Sequence, residues 1–140
     1  MNKKILLVGG GGHCKSVLDS LLELNEYTDI GIVDMQEKVG MSVMGVPVVG
    51  CDDDLPNLFR SGYRYAFITV GSIGNSMLRT KLFNLINEIG YEIPSIIDIS
   101  ATVSKHSVIE EGVFIGKKTI VNAGALIQRG SIINTGAIVE

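Results

Sequence analysis

The chain has 140 residues, with 12 Lys and Arg against 15 Asp and Glu and a formal net charge of −3. That length allows one ordinary domain or two small ones, and the interspersed charges leave no basic face for nucleic acid. The two cysteines, Cys14 and Cys51, form no CxxC and follow no secretory segment, and no apolar run approaches the roughly 20 residues needed to cross a bilayer; the expectation is a reduced, cytoplasmic protein with no disulfide and no membrane partner.

Lys4-Ile5-Leu6-Leu7-Val8 predicts a short buried strand that ends in Gly9-Gly10-Gly11-Gly12. Val17, Leu18, Leu21, Leu22 and Leu24 then fall at helical spacing, which predicts a helix over 13–25. A second strand over 30–33 closes at Asp34. Asp52, Asp53 and Asp54 before Leu55-Pro56 read as a helix start, where the helix dipole favours acids. A third strand over 66–70 opens at Gly71, and a helix over 76–89 stops at Gly90, a residue suited to a C-terminal cap. Strands alternating with helices predict a Rossmann-like α/β domain with a parallel sheet. The stretch 91–101, broken by Pro94, reads as a linker, with the boundary near residue 98: 1–98 for the α/β domain and 99–140 for a second, repetitive part.

From residue 103 a branched aliphatic returns every six positions, at Val103, Ile109, Ile115, Val121, Ile127, Ile133 and Val139. Four positions after each of the first six stands a small or β-branched residue: Ser107, Val113, Thr119, Ala125, Ser131 and Ala137. A period of six is neither the 3.6 of a helix nor the 2 of a strand. It suits a triangular coil of short strands and turns, eighteen residues to a coil, with the aliphatic position stacked inside and Asn122, Gln128 and Asn134 outside.

The chemistry concentrates at the first loop. Glycines between a strand and a helix let backbone N–H groups approach a phosphate at the positive end of the helix, so residues 9–13 are a phosphate-site candidate. The dinucleotide fingerprint is incomplete, because Cys14 stands where its last glycine belongs. Asp34 lies about 20 residues further on, where an acid takes a ribose hydroxyl. His13 at the helix start reads either as a neutral donor to a sugar or phosphate oxygen or as a capping residue. His106 reads as a solvated turn residue, the cysteines as packed small side chains, and Asp52–Asp54 as dipole partners rather than a metal site. Gly71, Asn75 and Arg79 follow the third strand at its carboxyl end, where open parallel sheets bind ligands, though Arg79 reads equally as a surface charge.

A strand ending in Gly9-Gly10-Gly11-Gly12-His13, Asp34 closing the second strand, Val70-Gly71 with Asn75 and Arg79, and Ile/Val-led hexapeptides together resemble the sialic-acid and bacillosamine acetyltransferases, the NeuD- or PglD-like enzymes. The resemblance implies that the coil is the beginning of a left-handed parallel β-helix of hexapeptide repeats. It implies an acetyl-CoA-dependent transferase, trimeric, that acetylates an amino or hydroxyl group of a nucleotide-linked amino sugar in bacterial glycan biosynthesis. Gly9, Gly11, Gly12, His13 and Asp34 would contact the nucleotide sugar, with Gly71 and Asn75 nearby. The general-base histidine of the family would follow immediately after Glu140, so the expectation is a shortened form of a longer enzyme, without its base, without most of its acetyl-CoA surface, and inactive by itself. Asp98-Ile99 stands where many relatives carry His-Pro, a departure read as confined to the linker. Two other readings stay open at this point: a non-catalytic module that binds a nucleotide sugar, and a nicotinamide-dependent oxidoreductase.

Overall fold

A computed structural model describes residues 3–71 and 76–140. The chain divides into two compact units, Met1–Lys15 with Glu26–Ile93, and Ser16–Asn25 with Pro94–Glu140. One helix, α1 (Gly12–Leu24), runs from the first unit into the second.

In the first unit, β1 (Lys4–Val8) pairs in parallel with β2 (Asp29–Val33) on one side and β5 (Tyr65–Ile68) on the other. Ile5, Leu6, Leu7 and Val8 are all at most 1% exposed, as a central strand covered on both faces requires. β2 in turn pairs in parallel with β4 (Val46–Gly50), and the antiparallel β3 (Ser42–Val43) makes the edge, giving the order β3-β4-β2-β1-β5. The sheet is therefore parallel with one antiparallel edge strand. That edge hairpin is absent from the sequence reading. Its two turn residues, Met44 and Gly45, have φ of 50° and 83°, the left-handed pair of a type I′ turn. Met-Gly is a weak spelling of a turn usually written Asn-Gly, and Pro47 obscures the strand pattern.

Leu6, Val8, Val33, Ala66 and Ile68 form one apolar cluster with Leu55 of α2 (Leu55–Arg60) and with Leu82 and Ile86 of α3 (Ser76–Ile89). Each fully buried aliphatic contributes roughly 1.5–3 kcal/mol. Tyr91 closes the cluster, its hydroxyl donating to the Leu55 carbonyl at 2.6 Å, so the buried phenol keeps a partner. The acids at 52–54 do begin a helical segment, as a 3₁₀ turn in which Asp54 accepts the Cys51 N–H at 2.9 Å.

In the second unit, eight two-residue strands from β6 (Ile96–Ile97) to β13 (Ile138–Val139) form the first coils of a left-handed parallel β-helix. Thr102 pairs with Ile120 and Ile120 with Ile138, Val108 with Leu126, and Ile96 with Phe114 and Phe114 with Ile132. Each step is eighteen residues, three hexapeptides. Ile115, Val121 and Ile127 are buried in the core, and Ile97, Val103, Ile109, Ile133 and Val139 pack against it at the two ends. Asn122, Gln128 and Asn134 are exposed. The first rung, Ile96–Ile97, lies six residues ahead of the repeat read from the sequence. A second six-residue signal is carried by the turns: Gly112, Lys118, Gly124, Gly130 and Gly136 all have φ between 58° and 85°.

Asp98 corrects one expectation. It is 1% exposed, and its carboxylate accepts hydrogen bonds from Ser20 Oγ (2.5 Å), Ser100 N–H (2.9 Å), Ser100 Oγ (2.7 Å) and Lys117 Nζ (3.0 Å). A carboxylate can be buried only with such donors, so the departure at 98 reaches the core of the second unit rather than a linker alone.

Candidate functional site

The carboxyl ends of β1, β2, β4 and β5 meet at one edge of the sheet, the edge at which open parallel sheets take ligands. β1 ends in the glycine loop. Gly9 leaves it with φ of 122°, donates to the Val33 carbonyl at 2.8 Å and accepts the Thr69 hydroxyl at 2.5 Å. A Cβ there would lie 2.8 Å from Val70 Cγ2, so both the backbone angle and the space require glycine. Gly10 is fixed differently: its Cβ would overlap Asp34 Oδ2. Gly11, Gly12 and Gly71 have nothing within 4 Å of a built Cβ, and Gly11 and Gly12 are exposed. The loop is thus tight where it leaves the sheet and open where α1 begins.

Asp34 sits at the end of β2. Its N–H donates to the Gly50 carbonyl at 3.1 Å and its Oδ1 accepts the Met35 N–H at 2.8 Å, leaving Oδ2 against the glycine loop. His13 stands in the first turn of α1. Burial, and then the charge of Arg79, lower its pKa, so the imidazole is neutral at physiological pH. Arg79, in the first turns of α3, donates to the Val70 carbonyl at 2.5 Å and belongs to this edge rather than to the general surface. Burial also pushes the Cys14 thiol up to about 11, with Asp34 adding to the shift against the neighbouring Thr69 hydroxyl, so Cys14 is no thiolate nucleophile.

A cavity of about 390 Å³ opens at this edge, within the range of small-ligand sites. It is lined by the apolar Val8, Val33, Val70, Leu78 and Leu82, by Gly9, and by the acids Asp34, Asp52 and Asp53. Burial raises the Asp52 pKa, and Asp53 and Asp34 add to it against Lys81. Of the residues selected from the sequence, Gly9 and Asp34 line this cavity. Gly11, Gly12 and His13 continue from it along the loop into α1, Gly71 follows β5, and Asn75 lies outside the described residues. Sequence reasoning took Gly10 only as part of the 9–13 loop and gave it no constraint of its own, since that constraint is a contact with Asp34 beyond the end of β2, and it did not select Asp52 and Asp53, whose helix-start role does not exclude facing a cavity. Among the described residues no group of three His, Cys, Asp or Glu could hold a metal ion, and no helix is long and apolar enough to cross a membrane.

The family model described as the PglD N-terminal domain matches residues 4–86. No curated protein matches the chain. Among solved structures, a histidine-to-asparagine variant of perosamine N-acetyltransferase from Caulobacter crescentus, in complex with CoA and GDP-perosamine, is 36% identical, with a TM-score of 0.88 over 97% of this chain and 62% of that one. The acetyltransferase domain of PglB from Neisseria gonorrhoeae, in complex with acetyl coenzyme A, is 31% identical, with a TM-score of 0.88 over 99% of this chain and 65% of that one. The chain thus spans less than two-thirds of the length of either.

Proposed function

Because this chain belongs to the family of the PglD N-terminal domain, we propose that residues 1–98 form the nucleotide-sugar-binding front of an acetyl-CoA-dependent sugar acetyltransferase and residues 99–140 the first coils of its β-helix. The substrate is a nucleotide-linked amino sugar, acetylated on an amino or hydroxyl group, in bacterial glycan biosynthesis. The protein works in the cytoplasm as a homotrimer. Two stacked pairs of outward aliphatics on the β-helix, Val108 with Leu126 and Ile120 with Ile138, are 40–63% exposed and suit burial against other copies.

The observation that carries the reading is the placement of Asp34 against the glycine loop in the lining of the cavity. The acids lining the cavity repel phosphates, whereas the first turn of α1 presents backbone N–H groups and a positive dipole end. A nucleotide sugar therefore lies with its diphosphate toward Gly11, Gly12 and His13 and its hydroxyl and N–H donors toward Asp34. Gly9 and Gly71 complete the surroundings, and the resemblance assigns Asn75, outside the described residues, to the same ligand.

In the transfer, the sugar nitrogen or oxygen attacks the thioester carbonyl carbon, the C–N or C–O bond forms, the C–S bond breaks, and a base takes the proton. By the resemblance the family's base would follow Glu140, and we assign no residue of this chain to the acetyl-CoA donor. His13 belongs to the loop, and His106 is exposed at a turn of the β-helix.

A thermal-shift panel tests the substrate class. GDP- and UDP-linked amino sugars are expected to raise Tm, and NADH is not. A shift with NADH alone would favour the oxidoreductase reading instead.

A further inference from the structure

The cavity at the edge of the sheet selects for one kind of nucleobase. β1, β2 and β4 are neighbours in the sheet, so the glycine loop, Asp34 and the turn at Asp52 stand at three successive strand ends, about 4.8 Å from one to the next. A nucleotide runs from phosphate through ribose to base in the same order. With the diphosphate at the glycine loop and the ribose hydroxyls at Asp34, the base lies at the third strand end, in the cavity that Asp52 lines.

The lining there suits a flat ring with donors on its edge. Val8, Val33, Val70 and Leu82 are apolar surfaces for the ring faces. Among the described residues of the lining, the Gln36 amide is the one side chain with an N–H, and the carboxylates of Asp34, Asp52 and Asp53 are acceptors. Asp54, next in the chain, is committed elsewhere, since its Oδ2 accepts the Cys51 N–H at 2.9 Å. No hydrogen bond reaches the Asp52 side chain from the described residues, and burial, then the charge of Asp53, make its ionised form costlier than in water, with Lys81 offsetting part of this. Donors brought by a ligand relieve that cost.

Guanine presents two adjacent donors, N1–H and the 2-amino group, at the spacing of the two oxygens of a carboxylate, which can accept both at once. Its O6 is left for a donor such as the Gln36 amide. Uracil presents one N–H between two carbonyl oxygens, so a carboxylate opposite it sets oxygen against oxygen. Adenine and cytosine offer an amino group beside an unprotonated ring nitrogen, one donor in place of two.

We propose that Asp52 is a specificity-determining residue that accepts N1–H and the 2-amino group of guanine, so that the chain takes GDP-linked rather than UDP-linked sugars. The proposal rests on the nucleotide-sugar reading and names the base that reading leaves open.

Calorimetry with GDP, UDP and inosine diphosphate on the whole chain tests it, because the three share diphosphate and ribose and differ only in the base. GDP is expected to bind at least about tenfold tighter than UDP. Inosine diphosphate, which keeps N1–H and lacks the 2-amino group, should fall between them. In Asp52→Asn, altered at an exposed side chain, the GDP affinity should drop until it lies within about twofold of UDP, with UDP unchanged or slightly tighter. UDP binding as tightly as GDP, or inosine diphosphate matching GDP, would overturn the proposal on the unmodified chain and leave the nucleotide-sugar reading standing. A GDP preference that survives in Asp52→Asn, or equal losses for GDP and UDP, would overturn the role of Asp52. Binding of no nucleotide by the folded chain would overturn the nucleotide-sugar reading itself, and this proposal with it.

Discussion

Gly10 and Asp34 meet just beyond the ends of β1 and β2, with no room for even one methyl group between the glycine Cα and Asp34 Oδ2. Gly10→Ala must move either the loop or the carboxylate, at a cost of roughly 1–3 kcal/mol. Its chemical denaturation midpoint should fall accordingly, and its affinity for nucleotide sugar should fall with it. Gly11→Ala and Gly12→Ala, which meet nothing within 4 Å, should be stable and lose affinity only. Equal stability losses at all three positions would contradict this division of the loop.

The β-helix makes two opposite predictions. Val121 is 2% exposed inside the coil, so Val121→Asp buries an unpaired carboxylate and should destabilise by more than about 4 kcal/mol. Lys118 occupies with φ of 58° the turn position that glycine fills in four of five successive hexapeptides. Lys118→Gly relieves a left-handed backbone worth roughly 1 kcal/mol, offset in part by glycine's entropy, and should be neutral to stabilising. A Tm falling by several degrees in Lys118→Gly would count against this account of the turns.

Acid stability should depend on Asp98. Burial alone would raise its pKa, but hydrogen bonds from Ser20, from Ser100 side chain and backbone, and from Lys117 outweigh that and hold the carboxyl well below the usual carboxylate range. A carboxyl depressed in the folded state stabilises fully above its unfolded pKa of 3.8 and loses that contribution as pH falls through the folded value. Lys117, which also faces Asp19 and Glu23, is shifted up and stays charged throughout this window. Tm should therefore drop from about pH 4 downward, and Asp98→Asn should flatten the drop. A variant with the same acid slope would remove Asp98 from the explanation.

The 140 residues alone should not turn over acetyl-CoA. Transfer needs a base within about 3 Å of the attacking atom, or one water away. On the proposed reading His13 faces the diphosphate, and His106 is exposed at a turn of the β-helix. Release of free thiol from acetyl-CoA with a GDP- or UDP-linked amino sugar, assayed on this chain, should stay at background, and robust turnover would show that the base lies among residues 1–140.

Periodic features were legible in sequence. The six-residue aliphatic phase was enough to place Ile115, Val121 and Ile127 in the core, and the strand-loop-helix at 4–24 needed only Lys4–Val8, four glycines and the leucine spacing. Features set by distant partners were not legible. Gly10 looks like its neighbours until Asp34 is brought against it, Asp98 looks like a linker acid until Ser20 arrives from 78 residues away, and the hairpin at Met44-Gly45 lacks the residue types that usually announce one. The glycine phase of the β-helix turns was present in the sequence at 112, 124, 130 and 136, but it takes the positive φ of Lys118 to show that this position has a left-handed φ in all five turns.

The central claim is that the edge built by the glycine loop and Asp34 binds a nucleotide sugar. Calorimetric titration of GDP-perosamine and a UDP-linked amino sugar into the chain and into Asp34→Ala measures it most directly. Saturable one-to-one binding of at least one of them is expected, weakened roughly ten- to a hundredfold in Asp34→Ala by loss of a charge-assisted hydrogen bond worth about 1.5–3 kcal/mol. Binding unaffected by Asp34→Ala, or no binding of either compound by the folded chain, would contradict it.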